Sequence, residues 1–304
     1  MTFSLHKNKG RIQWQIYFMV FITLAYFLVF RYWSMSWLTI AWKDYKILKG
    51  FFSSKFVGWK NFEAIFRNQE QFLRLIKNTL ALNILSLIFA FPMPIVFAVL
   101  LNELKVKKFK SVVQTISYLP HFLSTVVVVG IFSTFLSPSL GVLNSVMSSL
   151  GFNKINFLAK PEFFRPLMIL IGIWQGVGWS AIIYLSAIVG IDQNLYEAAE
   201  IDGCGKLGRI FHVTLPGIRT TIIILLILQI GNLMSVDTEK IYLFQNDLNL
   251  SVSEMFPTLT YKLGILQANY SRATAIGIFS SVISLFLVLI ANICAKKFSD
   301  VTII

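Results

Sequence analysis

Apolar residues gather in six long runs, 13–30, 79–101, 112–136, 166–189, 216–236 and 273–295. Each approaches or exceeds the roughly 18 to 20 residues that a helix needs to cross the hydrocarbon core of a bilayer. Polar residues fill the connections between them. The pattern predicts an all-α membrane protein with six transmembrane helices. The first run follows a basic start (His6, Lys7, Lys9, Arg11), as a signal peptide would, but it ends in Phe30-Arg31-Tyr32-Trp33 with no small-residue cleavage site. An uncleaved first helix is expected, with Tyr32, Trp33 and Trp37 at the membrane interface. One connection is long, 31–78. Within it, 58–76 spaces Trp59, Phe62, Ile65, Phe66, Phe72, Leu73 and Ile76 as the apolar positions of an amphipathic segment, expected to lie along the membrane surface.

Prolines and glycines interrupt several runs. Pro92, Pro94 and Pro120 break the helical hydrogen-bond ladder, and Gly172, Gly176 and Gly178 strip side chains from one helix. Two readings stand: kinking with close helix packing through small residues, or a flexible wall around a pathway. The organisation expected is a tail, first span and amphipathic segment over 1–78, a five-helix core over 79–297 and a tail over 298–304.

Composition agrees with lipid as the main solvent. Hydrophobic residues make up 56% of the chain, charged residues 13%, and the mean hydropathy is +0.70, which does not suit a water-exposed surface. Two cysteines, Cys204 and Cys294, exclude a disulfide scaffold, and no CxxC or His-rich stretch suggests a metal site. The net charge of +13 does not form one basic stripe; the bases flank apolar runs, so membrane anchoring explains them better than nucleic-acid binding. Lys105, Lys107, Lys108 and Lys110 are dense in one short connection, whereas Lys154, Lys160 and Arg165 are spread over a longer one. Density predicts both termini inside, although the long connection 31–78 tips the bare tally the other way.

Catalytic patterns are wanting. No GxxxxGK[ST] loop exists to cradle nucleotide phosphates, and His6, His121 and His212 are far apart without a paired nucleophile. No catalytic residue, metal or cofactor is expected in this chain. A membrane enzyme or a proton-coupled carrier would need catalytic clusters or carboxylates inside the spans, where Asp and Glu are nearly absent.

The polar connection between the fourth and fifth runs reads Glu197-Ala198-Ala199, three residues, Gly203, nine residues, Val213, one residue, Leu215-Pro216. It resembles the EAA loop, EAA-x3-G-x9-I-x-LP, of permease subunits of binding-protein-dependent ABC importers, which have the type I importer fold. The resemblance implies two short helices that dock into a groove on a separate ATPase, with Glu197, Ala198, Ala199, Ile201, Asp202, Gly203, Leu215 and Pro216 at that contact. The residues suit the role. Asp192 or Asn194 can cap the first helix, and Leu195, Ala198, Ala199 and Ile201 offer a small apolar face. Gly203 and Gly205 permit a sharp turn, and Pro216 fits the first turn of the next span. A scaffold receptor would need no such loop.

Further blocks, among them Tyr118-Leu119-Pro120-His121-Phe122-Leu123-Ser124, Ile173-Trp174-Gln175-Gly176-Val177-Gly178-Trp179 and Tyr270-Ser271-Arg272-Ala273-Thr274-Ala275-Ile276-Gly277, are similar to the oligosaccharide and polysaccharide branch of these permeases. That branch implies a homologous second permease, two copies of a cytoplasmic ABC ATPase that binds ATP and Mg, and an extracellular solute-binding lipoprotein in a Gram-positive plasma membrane. Two departures stand out: Cys204 replaces the usual Ala, and Asp237-Thr238 replaces a usual Gly-Phe. The same loop would also serve a peptide, polyol or phosphodiester importer. For a sugar path, polar and aromatic residues within runs are the candidates: Asn83, Trp174, Gln175, Trp179, Gln229, Asn232 and Asp237. Each has an alternative reading, as a helix-to-helix hydrogen bond or an interfacial anchor.

Overall fold

A computed structural model describes residues 14–298; residue 13, the basic start and the tail 299–304 lie outside the described residues. Four helices are long and apolar enough to cross a membrane alone: Trp14–Trp42, Gln69–Glu103, Pro161–Val189 and Tyr270–Cys294. Two more crossings follow if each of two bent helix pairs counts as one.

Helix α1, Trp14–Trp42, runs 29 residues, about 43 Å at 1.5 Å per residue, and its apolar stretch buries nothing against the rest of the chain. Only its tightened last turns, with Ile40 and Ala41 buried, pack on the final helix. A small antiparallel ladder follows, β1 (Lys43–Asp44) on β2 (Lys55–Phe56), with Lys43 opposite Phe56.

The amphipathic segment expected over 58–76 is not one surface helix. Helix α2 (Lys60–Phe66) is followed by Asn68, which starts α3 (Gln69–Phe89) by accepting from the Gln71 amide at 3.1 Å. Several of the segment's apolar positions pack on protein: the rings of Phe66 and Phe72 lie 5.6 and 5.7 Å from Phe279, and Phe62 lies 5.1 Å from Trp42, while Trp59 and Leu73 stay exposed. Hence α2 packs on the last span. Pro92, in the first turn where its missing N–H is harmless, opens α4 (Pro92–Glu103).

The third run departs from a single helix over 112–136. Helix α5 (Lys107–Tyr118, tightening through Leu119–Phe122) meets α6 (Thr125–Phe135) at 101°. Pro120 removes a donor, Leu123 is extended, and Ser124 caps α6 by accepting from the Val127 amide at 3.4 Å. Beyond α6, α7 (Val142–Ser149) is pinned by fully buried Asn144, whose amide donates to the carbonyls of Leu136, Ser137 and Ile155 and accepts from the Ile155 N–H at 2.7 Å. Helix α8 (Pro161–Val189) is the central strut.

After α8 come α9 (Gln193–Ile201) and α10 (Lys206–Gly217), then α11 (Arg219–Gly231) at 61° to α10. The fifth run, expected over 216–236, is therefore shorter: Ile218 breaks it at one end, and Asn232 leaves helical geometry at the other. Short helices α12 (Thr238–Phe244), α13 (Leu250–Ser253) and α14 (Phe256–Tyr261, extended as a wide turn Lys262–Leu266) lead to α15 (Tyr270–Phe298).

Three apolar clusters hold these helices together, chiefly by van der Waals packing, since lipid leaves little hydrophobic driving force between spans. One joins α6, α8 and α12 through Val128, Ile171, Phe244 and Met255. A second joins α4 and α8 through Ala98, Leu101, Ala181, Tyr184 and Ile188, and continues into Ile191 and Ile218. The third joins α3, α14 and α15 through Leu75, Phe256 and Ile276. Polar ties sit at one end: Arg74 pairs with buried Glu254 at 2.7 Å, and buried Asn78 donates to the carbonyls of Ser251 and Glu254 while accepting from Arg165 at 2.9 Å. At the other end Asn102 and Glu103 face Gln193, Tyr196 and Glu197 across a cleft of about 390 Å³. The molecule thus has two distinct ends, and the EAA-like loop occupies the second.

Candidate functional site: a polar loop and a cavity

Local rules account for the loop's shape. Asp192 caps α9 by accepting from the Asn194 amide at 3.0 Å, which settles the capping residue between the two that were expected. The helix stops at Gly203, whose φ of +75° is open to glycine and strained for most side chains. The Cys204 N–H reaches the Ala199 carbonyl at 2.8 Å and the Gly203 N–H reaches Glu200 at 3.0 Å, a Schellman ending that satisfies the last carbonyls. Helix α10 then returns, tied to α9 by Tyr196 Oη to Thr214 Oγ1 at 3.0 Å and by the Arg209–Glu200 pair at 3.2 Å. Thr214 is buried, so the first tie is shielded from competing water; the exposed Glu200 end makes the second worth little by itself.

What the loop leaves outside is a mixed surface with an apolar ridge. Leu195, Ala198 and Ile201 share the exposed side of α9, with Ile201 87% exposed, and Leu207 and Phe211 are exposed on α10. Glu197, Asp202 and Pro216 are exposed as well, while Ala199 and Leu215 are half-buried. Ile191, Tyr196, Val213 and Leu215 press inward on the α4–α8 cluster. At Gly217 a Cβ would lie 2.6 Å from the Ile191 side chain, so a larger residue there would require Ile191 to shift. Helices α9 and α10 are consequently keyed to α4 and α8, with an unpartnered apolar ridge on the far side.

Between α3, α4, α8 and α11 lies a cavity of about 300 Å³, lined by Ser86, Gly172, Gly176, Ser180, Tyr184, Gln229 and Asn232 among others. Of the seven path candidates it gathers Gln229 and Asn232. The others go elsewhere. Trp174 stacks edge-on to Phe132 at 5.2 Å, Trp179 lies flat on His121 at 4.6 Å, and Gln175 Nε2 donates to the Leu123 carbonyl at 3.3 Å, all bracing the α5–α6 break. Asn83 donates to Thr79 in its own helix. Asp237 is not within a span: it caps α12 through the Lys240 amide and pairs with the Lys240 ammonium at 2.8 Å.

Ser86, Ser180 and Tyr184 were missed as lining residues. Their signal was the spacing 172, 176, 180, one helix face carrying Gly, Gly and Ser. The two readings of the glycines divide by residue: Gly172 and Gly176 open the cavity, whereas Gly178 serves packing, since a Cβ there would run into the Ser117 backbone of α5.

The family described as binding-protein-dependent transport system inner membrane component matches residues 90–300. Protein LplB of Bacillus subtilis (strain 168) is 44% identical over 290 residues, 95% of this chain and 91% of its own length. The polygalacturonan/rhamnogalacturonan transport system permease protein YteP of the same strain is 44% identical, covering 94% of this chain and 88% of its own. Among solved structures, a chain of a bacterial alginate ABC transporter in complex with an alginate pentasaccharide-bound periplasmic protein superposes with a TM-score of 0.87 at 40% identity, covering 95% of this chain and 96% of that one. Such subunits are non-catalytic and leave ATP hydrolysis to a partner ATPase. With a predominantly helical membrane architecture, the loop in place and matches along nearly its whole length, the chain belongs to the inner-membrane components of binding-protein-dependent ABC transport systems.

Proposed function

We propose that this subunit carries an oligosaccharide across the plasma membrane by alternating access, and that α9 and α10 are the elements an ATPase grips. The observation that carries the reading is the double membership of Tyr184: it sits in the cluster that keys the loop to α4 and α8, and it lines the cavity. A displacement of the loop is thereby passed to the cavity wall through packed side chains, which move as bodies. The docking contact comprises Glu197, Ala198, Ala199, Ile201, Asp202, Gly203, Leu215 and Pro216. The cavity presents hydroxyl and amide groups with no charged side chain among its lining residues, which suits a polyhydroxylated solute. The relatives named for polygalacturonan, rhamnogalacturonan and alginate support the same class.

In this reading each bent pair is one crossing, giving six, with both termini cytoplasmic in a Gram-positive cell. The partners are a homologous second permease, two ATPase copies holding ATP and Mg, and a solute-capturing lipoprotein. Cysteine labelling of intact cells tests the orientation: Ser149→Cys should react with an impermeant reagent and Lys107→Cys should not, and the reverse would sink the topology. For the solute, candidate oligosaccharides are titrated onto the cognate lipoprotein and followed into proteoliposomes, with peptides, polyols and phosphodiesters as rivals. Capture and uptake of a rival instead of any saccharide would overturn the substrate class.

Gln229→Leu and Asn232→Leu should each lower uptake about fivefold, the worth of one hydrogen bond of ~1 kcal/mol, with the complex intact. Gln175→Leu should lower thermal stability instead, because its amide holds Leu123 across the helix break. Unchanged uptake in both cavity variants removes them from the solute path.

A further inference from the structure

The hairpin after α1 belongs neither to the loop nor to the cavity, and its surface is unusual. Leu48 is 101% exposed and Phe52 94%, and Ile47, Phe56 and Trp59 are exposed too. Lys46, Lys49 and Lys55 are exposed beside them, and Asp44 is the one acidic residue between positions 43 and 59. Large apolar side chains fully open to water are unfavourable at about 25 cal/mol per Å², so a surface of this kind marks a contact.

The segment is not a loose strand. Val57 N–H donates to the Trp42 carbonyl at 2.8 Å, Asn61 Nδ2 to the carbonyls of Ala41 and Lys43 at 2.8 and 3.0 Å, and Tyr45 N–H to Ser271 Oγ at 2.9 Å. Phe51 turns inward, 4.9 Å from Trp37 and under the Lys43 ammonium at 4.0 Å, while its neighbour Phe52 turns out. Outward Leu48 and Phe52 are thus held in place by inward contacts.

Position identifies the occupant. Helix α1, about 43 Å long, exceeds a hydrocarbon core of about 30 Å, and with its apolar run 14–30 in the core its Trp42 end extends past the core on that side. The hairpin begins at the next residue and touches the Tyr270 end of α15, at the end of the molecule opposite the loop. Apolar side chains beside amines at that depth match a lipid interface, where rings and aliphatic groups enter the acyl boundary and ammonium groups meet phosphates.

We propose that hairpin 43–57 is an interfacial anchor that places Leu48, Phe52 and Phe56 among lipid headgroups, with Lys46, Lys49 and Lys55 on anionic lipid phosphates. It holds the α1 end and the start of α15 at a fixed depth. The anchor does not depend on which solute is carried.

The test uses the assembled transporter in nanodiscs, on a Cys204→Ala, Cys294→Ala background. Leu48→Cys and Phe52→Cys, both at fully open positions, carry an environment-sensitive fluorophore, with exposed Ser149→Cys as the aqueous control at the same end. Headgroup-nitroxide lipids should quench the labels at 48 and 52 but not at 149. Quenching should be stronger in phosphatidylglycerol-rich discs than in pure phosphatidylcholine, and Lys46→Gln, Lys49→Gln and Lys55→Gln should each weaken hairpin partitioning about fivefold. No quenching at 48 and 52 in either lipid would overturn the anchor. Equal quenching in both lipids, unchanged by the Gln variants, would overturn the anionic assignment. Protection of the labels only when the solute-binding lipoprotein is added would assign the surface to that protein and overturn the proposal.

Discussion

Gly203→Asp is expected to yield a folded permease that pairs normally but neither imports solute nor supports lipoprotein-stimulated ATP hydrolysis. Two features separate folding from coupling at this position. A Cβ on Gly203 would meet nothing within 4 Å, so the side chain fits the isolated subunit. The φ of +75° adds a local strain of about 1–2 kcal/mol, against a usual domain stability of about 5–15 kcal/mol. The fold survives that. The proposed docking surface does not, because the new carboxylate, two residues after exposed Ile201, adds a charge that a partner groove would have to desolvate. Uptake by reconstituted transporter, stimulated hydrolysis and co-purification of the ATPase are the readouts. Wild-type uptake and hydrolysis would overturn the role of α9 and α10 in coupling.

Two glycines a half-turn apart on α8 should respond in opposite ways. Gly176 lines the cavity and has open space where a Cβ would go, so Gly176→Phe places a ring in the cavity proposed as the solute path. Normal assembly is expected, with uptake lower on the order of tenfold, the equivalent of ~1.4 kcal/mol, because the ring occupies volume the solute would need. At Gly178 even one methyl group collides with the Ser117 carbonyl, a backbone atom that cannot rotate away. Gly178→Ala should therefore lower the thermal midpoint of the complex and push α5 off α8, at about 1–3 kcal/mol. Thermal melts and uptake on the same preparations separate the two effects. A stable Gly178→Ala complex, or full uptake through Gly176→Phe, would contradict the assigned packing.

Much of the loop was legible in the sequence, because its shape rests on local rules, although Pro216, expected in the first turn of the next span, lies instead in the last turn of α10, before the break at Ile218. An acid two residues before the Asn194 amide makes a cap, a glycine at helix end makes a left-handed turn, and both partners are near in sequence. Four of the six apolar runs likewise fall within single long helices, since a span must satisfy its own backbone hydrogen bonds, whereas 112–136 and 216–236 are each broken by a bend. Break positions were half legible: Pro120 announced an interruption, but its 101° size depends on Ser124 capping a new helix and on Gln175 bracing Leu123 from α8.

Tertiary structure alone decided which face met which. The sequence offered Trp174, Gln175, Trp179, Gln229, Asn232, Asn83 and Asp237 as one set, and the fold dispersed them, because polarity inside a span says that a partner exists without saying where. Gly176 and Gly178 look alike in the chain; one faces a void and the other a carbonyl only because α5 crosses α8 at Ser117. Residues 58–76 carried the amphipathic pattern of a surface helix, yet an apolar face is equally satisfied by lipid or by Phe279 and Trp42, which lie far away in sequence and near in space. Periodicity reports that a face must be covered, and long-range packing chooses the cover.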